Sequence, residues 1–154
     1  MFLYYGNQTI IKNPKIKTSK YTKDFSFGFY CTYMKNQTQK WATRINGKGF
    51  VNIYEFTLNN QLKIKKFNTV DSEWLQFIAH CRSGQSHSYD IVEGPMADDT
   101  IYNYVEDYLD GLMSEEEFLY LAKFRHPTHQ ISFHTPKALE CLKFIEAKEV
   151  DTNG

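Results

Sequence analysis

The chain has 154 residues, the length of one domain with a substantial hydrophobic core, and we expect residues 1–154 to form a single domain. Its three cysteines are odd in number, widely spaced and without a CxxC pair, which excludes a disulfide scaffold and favours free thiols in a reducing compartment. No apolar run approaches the length of about 18 residues that crosses a bilayer, and no signal-peptide pattern is found, so we expect a cytoplasmic protein without a membrane partner.

The formal net charge is zero, but the charges are unevenly distributed along the chain. Residues 1–66 contain 12 Lys or Arg and two acidic residues, whereas residues 67–154 contain 6 Lys or Arg and 16 acidic residues. A basic first half favours a phosphate-bearing ligand. The alternative is that the two halves interleave in space and the polarity disappears on folding.

The first half of the chain has the pattern of a β-rich segment with one helix. A helix is predicted over 35–45, where Trp41 and Ile45 lie one turn apart. Asn59 and Asn60 have turn chemistry, which predicts a hairpin between the two strands that flank them. The strands predicted here from alternation and β-type residues are 2–5, 27–32, 50–58 and 62–67.

The second half alternates between helical and strand patterns. Ser72, Ser114 and Thr135 are predicted N-caps, and Pro136 suits the first position of the last helix. Mixed strands and helices without a regular βαβ rhythm predict an α+β fold. The predicted helices are 72–82, 98–111, 114–123 and 136 to about 147, and the predicted strands are 88–94 and 129–135.

Aromatic residues are concentrated around Gly28 in the stretch "KDFSFGFYCT" (23–32). Such a stretch is either an ordinary buried strand or an aromatic wall for a flat ring. A second pattern lies on the strand 129–135, where alternation places Gln130, Ser132 and His134 on one face. That polar face is either solvated or one wall of a cleft.

Several segments match the pattern of a known superfamily when they are read together. They are "LYYGN" (3–7), "DFSFGFYCT" (24–32), "YDIVEGPMADD" (89–99), "YLDGLMSEEE" (108–117) and "QISFHTPKAL" (130–139). With these segments the chain resembles the ADP-ribosyltransferase superfamily, most closely a bacterial family of small uncharacterised domains with the pattern LYHGS, DFGKGFYLT and QIxFHTxKAL. The resemblance spans nearly the whole chain.

The resemblance implies an α+β fold with a split β-sheet, flanking helices and a cleft for NAD, the co-substrate. By motif position, the backbone at Gly6 would bind the nicotinamide carboxamide, Tyr30 would stack on the nicotinamide ring, and Gln130 would bind the ribose 2′-OH. Departure of nicotinamide leaves an oxocarbenium-like ribosyl cation, so such an enzyme must hold the 2′-OH and shield the ring from water.

Four further positions complete the site that the resemblance implies. Tyr5 and Asn7 flank Gly6 at the end of the first strand. Phe25 belongs to the aromatic wall, and Gly28 admits the close approach of the ligand. We therefore expect NAD to contact Tyr5, Gly6, Asn7, Phe25, Gly28 and Tyr30, with Gln130, Tyr30 and Tyr5 as the catalytic residues.

The chain departs from the superfamily pattern at two of these positions. Tyr5 replaces a histidine; its phenol can hydrogen-bond a ribose hydroxyl but is longer than imidazole and can instead fill the pocket. Gln130 replaces the glutamate of the strongest transferases. An amide keeps the hydrogen bond to the 2′-OH, worth about 1 kcal/mol net, but supplies no negative charge to the cation. Both changes indicate weakened or altered catalysis.

Other chemistry has weaker support in the sequence. The stretch "HPTH" (126–129) with His134 lacks a Cys or carboxylate to complete a metal site, so no metal is expected. No GxGxxG, P-loop or Gly-x-Ser-x-Gly motif is present. Arg82 is either a substrate or phosphate contact or a cation at a helix C-terminus. Tyr21, Phe25 or Phe27 could stack on nucleic-acid bases.

Two functions from different classes follow from the sequence. The first is an NAD-dependent transfer of ADP-ribose to a macromolecular acceptor, protein or nucleic acid, by a bacterial toxin or effector. Such a protein has an antitoxin or another neutralising partner as a further expected ligand, and a secreted effector is the alternative to a cytoplasmic location. The second function is that of a catalytically degenerate relative that binds protein or nucleic acid.

Overall fold

A computed structural model describes residues 1–18, 23–125 and 127–152. These residues form an α+β architecture, which confirms the fold class expected from the sequence. No helix in the described ranges has the length and apolar character that a bilayer crossing requires. The helices are α1 Lys35–Thr43, α2 Ser72–Arg82, α3 Asp99–Leu109, α4 Glu115–Ala122 and α5 Pro136–Leu139. The strands are β1 Phe2–Asn7, β2 Phe29–Cys31, β3 Lys48–Phe56, β4 Ile64–Lys66, β5 Ile91–Gly94, β6 Gln130–Phe133 and β7 Leu142–Asp151.

The strands form two sheets that meet at one point. The first sheet has the order β1-β3-β7 and is antiparallel throughout. The second has the order β2-β6-β5-β4, in which only the β4–β5 pair is parallel. An isolated bridge joins β1 to the end of β2: the Tyr4 amide donates to the Thr32 carbonyl at 2.8 Å, and the Thr32 amide donates back at 3.0 Å.

Buried apolar residues form three clusters, which fix the layers of the fold. One cluster is shared by both sheets and includes Leu3, Tyr54 and Phe133. A second lies between the four-stranded sheet and helices α2 to α4, with Trp74 and Phe118 fully buried. The third packs α1 on the first sheet. The helices thus cover separate sheet surfaces, and a cleft remains near the joint between the sheets.

Local capping signals placed most helix starts correctly. The Ser114 hydroxyl accepts from the Glu117 amide at 3.1 Å, and the Thr135 hydroxyl accepts from the Ala138 amide at 3.1 Å, which confirms both predicted N-caps. The N-cap predicted at Ser72 is wrong. Asp71 caps α2, because its carboxylate accepts from the Trp74 amide at 2.9 Å.

The hairpin predicted across Asn59 and Asn60 does not form. Strand β3 pairs with β1 and β7, whereas β4 joins the other sheet beside β5 in parallel orientation. Turn residues permit a reversal of the chain but do not decide which strand edge is filled. Here both sides of β3 are occupied by strands from the two ends of the chain, β1 and β7, so no edge of β3 is left for β4.

The helix predicted to run to about residue 147 is also wrong. Helix α5 ends at Leu139, and residues 142–151 form the edge strand β7. The register of β7 against β3 shifts at Ile53 and Tyr54, so that Ile145 is an extra residue. Across this bulge the partly buried residues Phe144 and Ala147 are three apart, and Val150 follows three residues later. A bulged strand therefore imitates the spacing of a helix.

Candidate functional site

A cleft with a volume of about 650 Å³ lies where the end of β1, the loop before β2, helix α1, the end of α2 and the start of β6 meet. Five of the residues predicted for the site line it: Tyr5, Gly6, Asn7, Tyr30 and Gln130. These residues come from segments more than 100 positions apart in the sequence. A second, more open concavity of about 510 Å³, formed by residues 57–61, Lys137, Glu140 and Cys141, contains none of them.

Tyr5 occupies the cleft with a hydroxyl that already has a partner. Lys17 donates to the Tyr5 Oη at 2.7 Å, and its ammonium lies 5.2 Å from the centre of the tyrosine ring. The ring also packs against Phe29, with 4.3 Å between centroids. A ligand that uses the Tyr5 hydroxyl must therefore share it with Lys17 or displace the lysine.

Gly6 brings helix α1 close to the first strand. A Cβ at this position would collide with the carbonyl oxygen of Thr38 and lie 2.9 Å from the amide nitrogen of Ala42. Only a residue without a side chain allows this contact. Gly6 was predicted as a site residue, and it does line the cleft, but the close approach that it permits is that of α1.

Tyr30 has its ring at the cleft and its hydroxyl turned away from it. The Tyr30 hydroxyl donates to the Ser26 carbonyl at 2.5 Å and accepts from the Phe25 amide at 3.0 Å. Burial raises the pKa of this phenol far above its ordinary value. The hydroxyl thus holds the 25–26 turn and is neutral, and what remains for a ligand is the ring.

Phe25 and Gly28 are not among the residues that line the cleft. Phe25 is fully buried in the cluster under α2, with its ring 6.1 Å from that of Phe67. A Cβ on Gly28 would lie 2.8 Å from Nδ1 of His134, so this glycine makes room for a side chain of the protein. The predicted aromatic wall is corrected to Tyr30 alone, with Phe25 packed behind it.

Gln130 is held by groups that accept hydrogen bonds. It is only 4% exposed, and its Nε2 donates to Oδ2 of Asp24 at 3.0 Å and to the Pro95 carbonyl at 3.3 Å. Asp24, itself 4% exposed, forms an ion pair with Arg82. A carboxylate, an amide and a guanidinium therefore form one connected network at the base of the cleft.

Arg82 takes part in this network rather than capping α2 alone. Its Nε donates to Oδ1 of Asp24 at 3.1 Å, and its guanidinium lies 4.2 Å from the centre of the Tyr102 ring on α3. Arg82 also lines the cleft, and its side chain is 21% exposed. Arg82 therefore links α2 to the loop before β2 and still presents positive charge to the cavity.

The cleft is rich in positive charge. Lys23 is exposed as a whole, yet desolvation of its amine lowers its pKa, and the nearby positive charges of Arg44 and Arg82 lower it further. The carboxylates of Asp24 and Asp98 face the same space but are in ion pairs. An anionic group is the ligand such a rim favours. The cations that line the cleft in the described residues are Lys23, Lys40, Arg44 and Arg82.

Helix α1 and its C-cap residue contribute an aromatic ring and two of these cations. Trp41 is half-buried and lines the cleft, with Lys40 beside it and Arg44 one turn further on. Lys40 and Arg44 are four positions apart, so they lie on one face of the helix. This spacing was visible in the sequence, but nothing in one chain showed that α1 borders the cleft.

The other two residues of the predicted polar face, Ser132 on β6 and His134 just after it, do not line the cleft but contact one another. The Ser132 hydroxyl lies 2.7 Å from Nε2 of His134, and Nδ1 of that histidine lies 2.7 Å from the Phe27 carbonyl. Burial lowers the pKa of His134 to about 4. Since Ser132 is fully buried, this pair supports the 23–30 loop and is not a nucleophile with its base.

A separate buried network surrounds His129. Its Nε2 lies 2.8 Å from Oε2 of Glu93 and its Nδ1 lies 3.0 Å from Oγ1 of Thr32. The hydrogen bond to His129 lowers the pKa of Glu93. His126, the other histidine of the "HPTH" stretch, lies outside the described residues, as does Tyr21. Within the described ranges no group of three His, Cys, Asp or Glu side chains is placed to hold a metal.

The three cysteines are free and buried, as expected from their apolar surroundings. Burial raises the pKa of Cys81 to about 12, and it also raises the pKa values of Cys31 and Cys141. A thiol with a raised pKa is a poor nucleophile. The cysteines are therefore core residues.

Asp24 is the main site residue that sequence reasoning missed. It stands in the stretch that the sequence singled out, but the aromatic residues after it attracted the interpretation. The sequence did contain a sign of its role, because an aspartate in a stretch of residues that become buried needs a hydrogen-bond donor or a cation as its partner. The partners themselves, Arg82 and Gln130, are 58 and 106 positions away and are not inferable from spacing.

An α+β protein with a cationic cleft beside the joint of two sheets is the class that the fold and the site define. The chain belongs to the family described as "Protein of unknown function (DUF3990)", whose model matches residues 1–144. No curated protein and no solved structure matches the chain.

Proposed function

We propose that this protein is an NAD-dependent ADP-ribosyltransferase with an ADP-ribosyltransferase-like fold, and that the cleft is its NAD site. The observation that carries the proposal is that residues from separate motifs lie together in space. Tyr5 and Gly6, Tyr30, and Gln130 were selected from three separate motifs, and they line one cavity. Chance placement of three distant segments would not be expected to bring these side chains together.

The chemistry of the cleft supports this substrate. NAD carries a diphosphate, which suits the cations Lys23, Lys40 and Arg44. Tyr30 lines the cleft and its ring suits a flat nicotinamide, and Trp41 offers a second aromatic ring in the same cavity. The volume of about 650 Å³ lies within the usual range of small-molecule sites.

The proposed reaction breaks the bond between the ribose C1′ and the nicotinamide nitrogen. Nicotinamide leaves with the bonding electron pair, an acceptor nucleophile forms the new bond to C1′, and the acceptor loses one proton. Gln130 would accept a hydrogen bond from the ribose 2′-OH, and Tyr30 would shield the ring from water. Tyr5 stands in the histidine position and would meet the substrate through a hydroxyl shared with Lys17.

Nicotinamide release from NAD, with a parallel calorimetric titration of NAD binding, tests the proposal. Gln130→Ala should lower both, because it removes the only predicted acceptor for the 2′-OH. Gln61→Ala is the matched control, since Gln61 is an exposed loop residue away from the cleft. Failure of the wild-type protein to bind NAD, at concentrations up to the millimolar range, would contradict the proposal.

A second function is favoured by two observations. The Tyr5 hydroxyl is engaged by Lys17, and Gln130 supplies no negative charge for a ribosyl cation. These features suit a relative that has lost catalysis and binds protein or nucleic acid, for which Trp41 between Lys40 and Arg44 is a suitable surface. Absence of NAD binding together with salt-sensitive binding of single-stranded RNA or DNA would support it.

A further inference from the structure

In each of its side-chain hydrogen bonds the Asp24 carboxylate is the acceptor. Oδ1 accepts from Nε of Arg82 at 3.1 Å and also from Nη2 of the same residue. Oδ2 accepts from the Ala97 amide at 2.8 Å and from Nε2 of Gln130 at 3.0 Å. Four donor hydrogens thus meet the two carboxylate oxygens of a residue that is 4% exposed.

Only a carboxylate satisfies this arrangement. An asparagine at position 24 would have one acceptor and one donor end. Whichever way its amide faced, it would oppose either the Arg82 guanidinium or the pair formed by Ala97 and Gln130, and it would leave buried donors without acceptors. The network therefore selects an ionised aspartate, although asparagine has nearly the same shape.

The same network fixes the orientation of the Gln130 amide. Both partners of Nε2, Oδ2 of Asp24 and the Pro95 carbonyl, can only accept hydrogen bonds. Two acceptors take both hydrogens of the amide nitrogen. What Gln130 has left to offer a ligand is its Oε1, which accepts and cannot donate.

We infer that Asp24 is the positioning residue of this site, and that it makes Gln130 a pure hydrogen-bond acceptor toward the cleft. The inference rests on the proposed function, in which a ribose hydroxyl donates to Gln130.

One consequence is that Gln130→Glu will not create a simple glutamate site. The substitution places two carboxyl groups at the distance that now separates Asp24 Oδ2 from Gln130 Nε2, and like charges so close retain a proton between them. The pair then titrates above the ordinary range of Asp and Glu. Because a raised folded-state pKa favours folding only at low pH, this variant should lose stability as the pH rises through that titration.

The exchanged pair Asp24→Asn with Gln130→Glu should remove that defect. The carbonyl of the introduced asparagine would face Arg82, and its amide would donate to the introduced glutamate. One carboxylate and one amide are then present, as in the natural protein. The Ala97 amide loses its acceptor, and the Pro95 carbonyl loses the donor from position 130 but keeps the Trp74 indole N–H at 2.9 Å. Two substitutions that are each harmful should therefore compensate one another.

The first test needs no ligand. Unfolding midpoints of the wild type, Asp24→Asn, Gln130→Glu and the double variant are measured between pH 5 and pH 8. Relative to the wild type at the same pH, we expect Gln130→Glu to lose stability as the pH rises, and we expect no such relative loss in the double variant. Asp110→Asn and Gln61→Glu, both at exposed positions, are the matched controls. A Gln130→Glu protein with the pH profile of the wild type would overturn the inference.

The amide itself can be observed in the same proteins. In glutamine-labelled protein, the side-chain NH2 signals of Gln130, identified by their loss in Gln130→Glu, should be protected from exchange. In Asp24→Asn that protection should fall by at least tenfold, and unchanged protection would overturn the inference. This measurement reports on Asp24 whether or not the protein binds NAD.

NAD binding and turnover form the second test. Asp24→Asn should raise the KM for NAD or the Kd at least tenfold, and the double variant should recover to within about threefold of the wild type. Full NAD affinity in Asp24→Asn would overturn the positioning role. If the wild type binds no NAD, the proposed function fails, while the stability and exchange measurements still decide whether Asp24 orients Gln130.

Discussion

Acidification should destabilise this protein through His134, which the fold holds neutral. Its Nδ1 donates to the Phe27 carbonyl at 2.7 Å, and its Nε2 lies 2.7 Å from the Ser132 hydroxyl, which is also 3.2 Å from the Val92 carbonyl, so both ring nitrogens already have protein partners. Burial lowers the pKa of His134 from 6.5 to about 4; the hydrogen bond to the Phe27 carbonyl opposes this shift, the nearby His87 adds to it, and the charge of Asp90 opposes it least.

The sign and size of the effect follow from this pKa. Between pH 6.5 and pH 4 the unfolded chain binds a proton at position 134 that the folded chain does not, so stability falls as the pH falls through this window. The change in pKa from 6.5 to about 4 corresponds to roughly 3 kcal/mol of the free energy of unfolding. Of this, about 2 kcal/mol is lost between pH 7 and pH 5. For a domain of this size that is a substantial part of the free energy of unfolding.

Urea unfolding at pH 7 and pH 5 measures the loss, and nuclear magnetic resonance of the histidine rings measures the pKa directly. His134→Gln should reduce the difference in stability between the two pH values, whereas His80→Gln, at an exposed histidine, serves as the control. A His134 ring that titrates near 6.5 would refute the reasoning. So would an unchanged pH dependence in a well-folded His134→Gln protein.

Three further changes test the cleft. Tyr30→Phe should cost about 1–3 kcal/mol of stability, because it removes the acceptor of the Phe25 amide, but it should leave NAD affinity nearly unchanged, as urea unfolding and calorimetry would show. Arg44→Gln should weaken NAD binding, reduce its salt dependence and raise the pKa of Lys23, all measurable by titration; a constant Lys23 pKa would contradict the electrostatic argument. Gly6→Ala should destabilise the protein by about 1–3 kcal/mol, since its Cβ collides with α1, and an unchanged unfolding midpoint would show that α1 can shift.

The errors in predicting the fold have a common cause. The strand β4 and the helix start at 72 were located from local patterns, yet the partner of β4 and the capping residue of α2 were assigned wrongly. A local pattern determines what a segment can form, whereas pairing depends on which strand edge is left open by the rest of the chain. The bulge at Ile145 shows the same limit, because it exists only against β3.

The candidate site shows how far motif reasoning extends. From their positions in the motifs, Tyr30 and Gln130 were predicted to share one cleft, and both line it. Phe25 was predicted in the same way to contact the ligand, but it is fully buried and does not line the cleft. Successive residues of an extended segment face opposite sides, and the sequence alone does not say which side is the core. The direction of the Tyr30 hydroxyl likewise depends on the turn at Ser26.

The sequence by itself determined the α+β class, the free buried cysteines, most element positions and three of the segments that line the cleft. Periodicity and capping are local properties, so one chain is enough to detect them. The tertiary structure alone decided that Asp24 joins Arg82 and Gln130, and that Lys40, Trp41 and Arg44 border the same cavity. A buried charge requires partners, but their identity depends on which distant segments the packed core brings together.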